Sequence, residues 1–175
     1  MSRINSLSQS AIRAMFASET SEALILLITI TDPTDAANPI RLADSYTGRI
    51  ASLTTDEEIV YGVTSNNKDY VFLPLQINLP GEQEAGAGQC SLTLNYVTRE
   101  AIQLIREKLT SPVSVQIDLV LASSPNTVET SFSGFKITNV TYNAEQVTLD
   151  LNMVSLSREP FPSFTFTPAN FPGLF

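Results

Sequence analysis

Residues 113–121, Val-Ser-Val-Gln-Ile-Asp-Leu-Val-Leu, carry an apolar side chain at all five odd-numbered positions. Successive side chains of a β-strand point to opposite faces, so this alternation predicts a strand with one buried face. The same period of two recurs from Val147 to Met153, within a second predicted strand at 146–156. Both stretches indicate a mainly β fold.

Residues 23–30, Ala-Leu-Ile-Leu-Leu-Ile-Thr-Ile, are apolar almost without interruption. Such a run predicts a strand that is buried on both faces. It has less than half of the roughly 18–20 residues that a helix needs to cross a bilayer, so we predict no membrane span. Turn-forming residues follow at 32–39, and residues 40–43 are predicted to return beside the first strand as a hairpin.

Further strands are predicted at 59–63, 70–79, 91–96, 127–132 and 134–141, with a hairpin tip at the polar residues 65–69. Proline cannot donate to a ladder, so Pro74 marks an edge position or a bulge. Antiparallel pairing is expected, because the last strands follow one another closely in a hairpin or meander.

Two helices are predicted beside these strands. Residues 8–18 have apolar side chains at helical spacing, with Ser8 or Ser10 available as the N-cap. Residues 98–109 carry one apolar stripe opposite a charged face, which predicts a helix packed against the sheet. The fold class is therefore mainly β, or α+β by count of elements.

The composition excludes several classes of function. The chain has 175 residues, 10 Lys and Arg against 18 Asp and Glu, a net charge of −8 and no histidine. Its length suits one domain, and its acidity disfavours sequence-specific nucleic-acid binding. Histidine-dependent triads and zinc sites with histidine ligands are excluded. The first residues lack the apolar segment of a secretory signal, which favours intracellular synthesis.

Three features have a chemical interpretation that competes with a structural one. Cys90 has no histidine to take its proton and no second cysteine to pair with, which favours a structural role. The run Gly86-Ala87-Gly88 lacks the third glycine and the lysine of a phosphate-binding loop. The acidic residues 56–58 are interpreted as a solvated face. The sequence thus predicts no enzyme, no cofactor and no metal site.

The C-terminal segment, residues 158–175, differs from the β-rich domain predicted for residues 1–157. Its phenylalanines alternate with prolines, which prevent a regular helix and interrupt ladder pairing. The rings need burial, so we predict an extended arm that packs on its own domain or on a neighbouring subunit. The predicted anchors are Phe161, Phe164, Phe166, Phe171, Phe175 and Pro168.

The loop from Gly81 to Gly88 holds three glycines, Gly81, Gly86 and Gly88, and almost no side chain that can pack. We predict a mobile loop. It is either a contact element that orders on assembly or simply the tip of a hairpin.

Four short motifs are spread along the chain: Ile-Arg-Leu-Ala-Asp at 40–44, Tyr-Val-Phe-Leu-Pro-Leu at 70–75, Ser-Leu-Thr-Leu-Asn at 91–95 and Arg-Glu-Pro-Phe-Pro at 158–162. In their sequence and order they resemble a family of small tail proteins of long-tailed bacteriophages, the siphophage minor tail protein family DUF1833. The layout is also similar to the N-terminal halves of tail-tip hub proteins and of the lambda-type minor tail protein L. No catalytic residue comes with this resemblance.

The resemblance implies a virion protein of the phage tail, assembled in the host cytoplasm. It implies antiparallel barrel-like or sandwich-like modules that form a ring around the tail channel, between the tail tube and the central hub or fibre proteins. A trimer is favoured for such a ring and a hexamer is the other expectation.

Two other functions compete with this structural one. A soluble binding module would recognise a host glycan or protein through loops 52–69 and 80–90. An enzyme based on paired carboxylates is disfavoured, because nothing in the sequence brings two acids to a cleft.

Overall fold

The computed structural model describes residues 7–51, 53, 59–78, 89–95, 113–143 and 146–153. Within them lie one helix, α1 (Gln9–Phe16), and ten strands. The strands are β1 (Leu24–Thr31), β2 (Ile40–Ala43), β3 (Gly48–Arg49), β4 (Tyr61–Ser65), β5 (Lys68–Phe72), β6 (Leu75–Asn78), β7 (Gln89–Asn95), β8 (Ser114–Leu121), β9 (Ser124–Tyr142) and β10 (Gln146–Met153). The predicted mainly β class is confirmed.

All ten strands belong to one sheet, in the order β3-β4-β5-β2-β1-β8-β9-β10-β7-β6. The sheet is not closed into a barrel, which corrects the barrel-like expectation. Its end strands, β3 and β6, have two and four residues, so neither offers a long ladder for closure. The antiparallel hairpins and meander expected for the last strands are present, and one pairing elsewhere differs, because β2 and β5 pair in parallel. Strands β3 and β4 lie between them in the sequence, and the chain then returns to the side of β2, so that β5 runs in the same direction as β2.

Strand β1 is buried on both faces, as predicted, and it separates two cores. Ile28 and Ile30 contribute to one cluster of buried side chains, and Ile25 and Leu27 contribute to the other. Alternation along the strand explains this division, since odd and even positions face opposite sides. Full burial of each such aliphatic side chain contributes about 1.5–3 kcal/mol.

The first core lies on the face where β7, β8, β9 and β10 present their alternate apolar residues. It consists of Ile28, Ile30, Cys90, Leu92, Leu94, Val113, Val115, Ile117, Phe135, Val147, Leu149 and Leu151. The second core lies under the β4–β5 hairpin. It consists of Ile25, Leu27, Ala43, Val63, Tyr70 and Val120.

Strand β9 replaces the two separate strands that were predicted at 127–132 and 134–141. It runs for 19 residues, pairing first with β8 and then with β10. Its register against β8 shifts between Phe132, which pairs with Ile117, and Phe135, which pairs with Val115. Gly134 lies in this bulge with a φ of +87°, a conformation that favours glycine. The bulge bends β9 locally within its pairing with β8.

The β4–β5 hairpin turns at Asn66 and Asn67, which have φ values of 49° and 59°. Two consecutive residues with positive φ form the turn that matches the twist of a hairpin, and asparagine tolerates it. The Asn66 backbone N–H donates to Asn126 Oδ1 at 2.7 Å, so the tip is tied to the start of β9. Pro74 lies between β5 and β6 rather than inside a strand.

Helix α1 begins where the sequence predicted. The Ser8 hydroxyl accepts a hydrogen bond from the Ala11 N–H at 3.1 Å, so Ser8 rather than Ser10 is the N-cap. In the part of the chain that the structure describes, no helix is long and apolar enough to cross a membrane. The predicted helix at 98–109, the loop at 81–88 and the arm at 158–175 lie outside the described residues.

Candidate assembly surfaces

The residues that the sequence predicts as subunit contacts lie outside the described residues, whereas the predicted binding loops 52–69 and 80–90 are described in part. The predicted subunit contacts are Phe161, Phe164, Phe166, Pro168, Phe171 and Phe175 of the arm and Gly81, Gly86 and Gly88 of the loop. The described residues form other surfaces, for which the sequence carries no local signal.

The most apolar of these surfaces is an aromatic cluster formed by Tyr46, Tyr61 and Phe72. The Tyr46 ring centroid lies 5.4 Å from that of Tyr61 and 5.2 Å from that of Phe72, with interplanar angles of 53° and 66°. Tyr46 and Tyr61 remain 53% and 47% exposed. Tilted and edge-on rings at these distances attract one another, so the three rings form one partly exposed aromatic surface.

The strand pattern explains why these rings lie at the surface. Tyr61 and Val63 are two positions apart on β4, and Tyr70 and Phe72 are two positions apart on β5. The two side chains of each pair therefore point to the same face of the sheet. Val63 and Tyr70 enter the second core. Tyr61 and Phe72 lie one step further along the same face, where the core ends. Local sequence cannot show where that end falls.

Gly62, which lies between Tyr61 and Val63 on β4, is a position of very close packing. A Cβ atom at Gly62 would meet the Tyr70 carbonyl oxygen and would lie 2.6 Å from Ile50 Cδ1. Ile50 is 3% exposed, so it packs closely over the glycine. Only glycine allows this approach between β4 and its neighbours.

A second surface is the polar outer face of β6, β7, β10 and β9. Asn78, Ser91, Asp150 and Asn139 follow one another across the four strands in register. Asn78 Nδ2 donates to Ser91 Oγ at 3.2 Å, and Asn139 Nδ2 donates to Asp150 Oδ2 at 3.0 Å. This row therefore places one carboxylate among amides and hydroxyls.

A cavity of about 480 Å³ opens on this polar face. Asp150, Asn152 and Thr138 line it together with the buried Cys90. Asn152 Oδ1 is buried and has no hydrogen-bond donor among the described residues. Burial raises the pKa of the Cys90 thiol to about 11, so the thiol stays protonated near neutrality and is a poor nucleophile.

The sheet ends in strand β6 on this side. Within the described sheet β6 pairs with β7 alone, so its other edge carries no ladder partner there. An edge of this kind is a template for pairing with another chain. Among the described residues, no group of three histidine, cysteine, aspartate or glutamate side chains comes together to hold a metal ion.

Asp44 is a partly buried carboxylate at the end of β2. Burial raises the pKa of Asp44, and the hydrogen bond that its Oδ1 accepts from the Leu26 N–H, at 2.9 Å, opposes this shift. The Asp44 N–H also donates to the Leu26 carbonyl at 3.2 Å. Asp44 thereby extends the contact between β1 and β2 beyond the ladder.

Comparison with known proteins gives one family. The sequence model of a family described as a domain of unknown function, DUF1833, matches residues 10–166. This span includes nearly all of α1 and every strand of the sheet. No curated protein matches the chain.

Proposed function

The chain belongs to the DUF1833 family of unknown function, and on the features of its sequence and sheet we propose that it is a structural protein of a bacteriophage tail tip or baseplate. Copies of it form a ring around the tail channel, between the tail tube and the central hub or fibre proteins. The ring is a trimer or a hexamer, with the trimer favoured. The protein acts by contact alone, without catalysis or a cofactor.

The observation that supports this proposal most directly is that the two ends of the sheet differ. The aromatic cluster lies at the β3–β4–β5 end, and the edge of β6 lies at the other end. A closed ring needs two different surfaces on each subunit, because every contact joins one surface to the other. An exposed cluster of tyrosines is also typical of the core of a protein interface.

The charge of the chain is consistent with this place in a tail. A net charge of −8 repels nucleic-acid phosphates, so a ring of such subunits would let DNA pass without holding it. The predicted Phe/Pro arm at 158–175 supplies apolar side chains that a neighbouring subunit can bury.

Native mass spectrometry of the purified full chain over a range of concentrations tests the ring. We expect a species of three or six copies to grow with concentration. Tyr46→Ala should raise the dissociation constant of this oligomer by at least about tenfold, which is the effect expected at an interface hot spot. Tyr142→Ala is the matched control, because Tyr142 is 54% exposed and lies outside the aromatic cluster. A wild-type chain that stays monomeric at every concentration would contradict the proposal.

The polar cavity favours a second candidate, a binding module for a host glycan. Its lining combines Asp150 with amides and hydroxyls, which can pair with the hydroxyls of a sugar. This candidate predicts that a glycan raises the melting temperature of the wild-type chain and does so less for Asp150→Ala. A panel of host glycans that leaves the melting temperature unchanged would exclude it.

A further inference from the structure

The aromatic cluster of Tyr46, Tyr61 and Phe72 is accessible to a group from outside the sheet. Tyr46 is 53% exposed and Tyr61 is 47% exposed. Ile59, which lies two residues before Tyr61, is also 53% exposed. A group of large apolar side chains that stays in contact with water marks a surface that another segment covers.

The arm at 158–175 has the chemistry to cover this cluster. Between Pro160 and Phe175 it holds five phenylalanines and four prolines and no charged side chain. Proline favours the extended polyproline conformation, and surfaces lined with aromatic rings bind proline-rich segments in this conformation. Phenylalanine rings also pair with tyrosine rings in tilted or offset arrangements. A tyrosine hydroxyl can in addition donate to a backbone carbonyl of such a segment.

Strand β10, after which the arm follows in the sequence, ends pointing toward the row of the sheet that contains the cluster. Met153 pairs with Phe135 of β9, and the two strands are antiparallel. At Met153 the direction of β10 is therefore toward the level of Ser131. Ser131 belongs to a row of paired residues that crosses the sheet to the cluster. The row is Ser131, Asp118, Leu27, Ala43 and Phe72.

The arm is long enough to reach the cluster of its own chain. Strand β5 lies five strands from β10 in the sheet, and Ser131 lies four residues from Phe135 along β9. At about 4.8 Å per strand and about 3.3 Å per residue, the path along the sheet is shorter than about 40 Å. Curvature of the sheet shortens the direct line further. Thirteen residues lead from Met153 to Phe166, and when extended they span about 43 Å or more.

We propose that the arm of each chain folds back across its own sheet and docks on the aromatic cluster of the same chain. The backbone that links the two keeps the arm at an effective concentration of about 1 mM, which is far above that of a second copy in dilute solution. One contact then removes the rings of the arm and those of the cluster from water together. The contact belongs to the free subunit and goes beyond the proposed ring, in which a neighbour has to displace the arm.

A photoreactive ring in the arm tests this contact. Phe166 of the full chain is replaced by benzoylphenylalanine, which remains aromatic and couples on illumination to C–H bonds that it touches. Trypsin cleaves after Arg41 and Arg49, so Tyr46 lies in a peptide of residues 42–49 that mass spectrometry identifies. We expect this peptide, and the peptides that contain the other two rings of the cluster, as the main partners of the probe.

A second probe position and a pair of substitutions provide the controls. Benzoylphenylalanine at Phe16, which is 80% exposed on α1, gives the background of unspecific coupling. Tyr46→Ala removes a central ring of the cluster and should lower the yield of links from the arm to the cluster severalfold. Tyr142→Ala removes an exposed ring outside the cluster and should leave that yield unchanged.

Isotope labelling shows which chain supplies the arm. Chains with the probe at Phe166 are prepared with ¹⁴N and with ¹⁵N, mixed in dilute solution and illuminated. Linked peptides of a single isotope are expected, because the contact lies within one chain. Linked peptides of mixed isotope would assign the arm to a second copy and overturn the proposal.

The remaining outcomes separate this contact from the proposed ring. Links from the probe at Phe166 to peptides outside the cluster, or no links above the background from Phe16, overturn the contact and leave the ring untouched. A chain that never associates, yet shows links of a single isotope to the cluster, contradicts the ring alone.

Discussion

The backbone N–H and the hydroxyl of Ser8 both donate to the carboxylate of Glu129, at 2.7 Å and 2.6 Å. Ser8 is the N-cap of α1, and Glu129 lies in β9 and is only 3% exposed. The pair therefore attaches the N-terminal helix to the sheet across 121 positions of sequence. Apolar packing contributes less, since Met15 and Phe16 remain 66% and 80% exposed.

Replacing Glu129 should release α1 from the sheet. Glu129→Ala removes the two carboxylate oxygens that accept hydrogen bonds from Ser8. A hydrogen bond to a charged group contributes about 1.5–3 kcal/mol to the free energy of unfolding. We expect faster hydrogen exchange in residues 9–16 and a lower free energy of unfolding. Ser10→Ala is the control, because Ser10 contacts Ser8 but not Glu129. Equal exchange rates in the two variants would show that other contacts hold the helix.

The close packing at Gly62 gives a prediction with a built-in control. Gly62→Ala should lower the free energy of unfolding by about 1–3 kcal/mol, because its methyl group would collide with the Tyr70 carbonyl and with Ile50. Gly48 pairs with Gly62 across the β3–β4 ladder, yet nothing lies within 4 Å of a Cβ atom placed there. Urea unfolding of Gly62→Ala and Gly48→Ala should therefore differ clearly. Similar losses would mean that β4 adjusts to accommodate a side chain.

The sequence predicted those elements whose signal is local. The alternation at 113–121, the apolar run of β1 and the turn at Asn66 are each visible within a few residues. Elements that depend on distant partners were missed. Two separate strands were predicted at 127–132 and 134–141, but pairing with β8 and with β10 makes both ranges part of the single strand β9.

The aromatic cluster was missed for a similar reason. Tyr46 meets Phe72 only because β2 and β5 pair in parallel, and no short motif encodes that pairing. Tyr61 would be assigned to a core face by its alternation with Val63. Its exposure follows from where the second core stops. The contacts predicted for the loop at 81–88 and the arm at 158–175 stay predictions.

The buried thiol of Cys90 should react slowly in the folded protein. Burial raises its pKa to about 11 from a value of 9.0, so the thiolate fraction at pH 8 is small. A folded-state pKa above the unfolded value means that this group favours folding below pH 9, and that its contribution is lost as the pH rises toward 11. The rate of reaction with a soluble disulfide, measured against pH, should rise with a midpoint near 11 in the native chain. A midpoint at the value of an unfolded thiol would show that Cys90 is accessible.

The partly buried carboxyl of Asp44 predicts a pH dependence of stability with the same sign as that of Cys90, but at acidic pH. Its pKa is raised above 3.8, chiefly by burial, so the folded state prefers the protonated acid. The contribution of Asp44 to stability is therefore complete below pH 3.8 and is lost as the pH rises through the folded-state pKa. Asp44→Asn removes the charge and keeps an oxygen that can accept from the Leu26 N–H.

The stability of Asp44→Asn relative to wild type should therefore increase as the pH rises from about 4 to 7. Urea unfolding of both chains across this range measures the difference, in which the other carboxyl groups cancel. A difference that shrinks with rising pH would show that the hydrogen bond from Leu26 outweighs burial, and that the ionised form of Asp44 stabilises the end of β2.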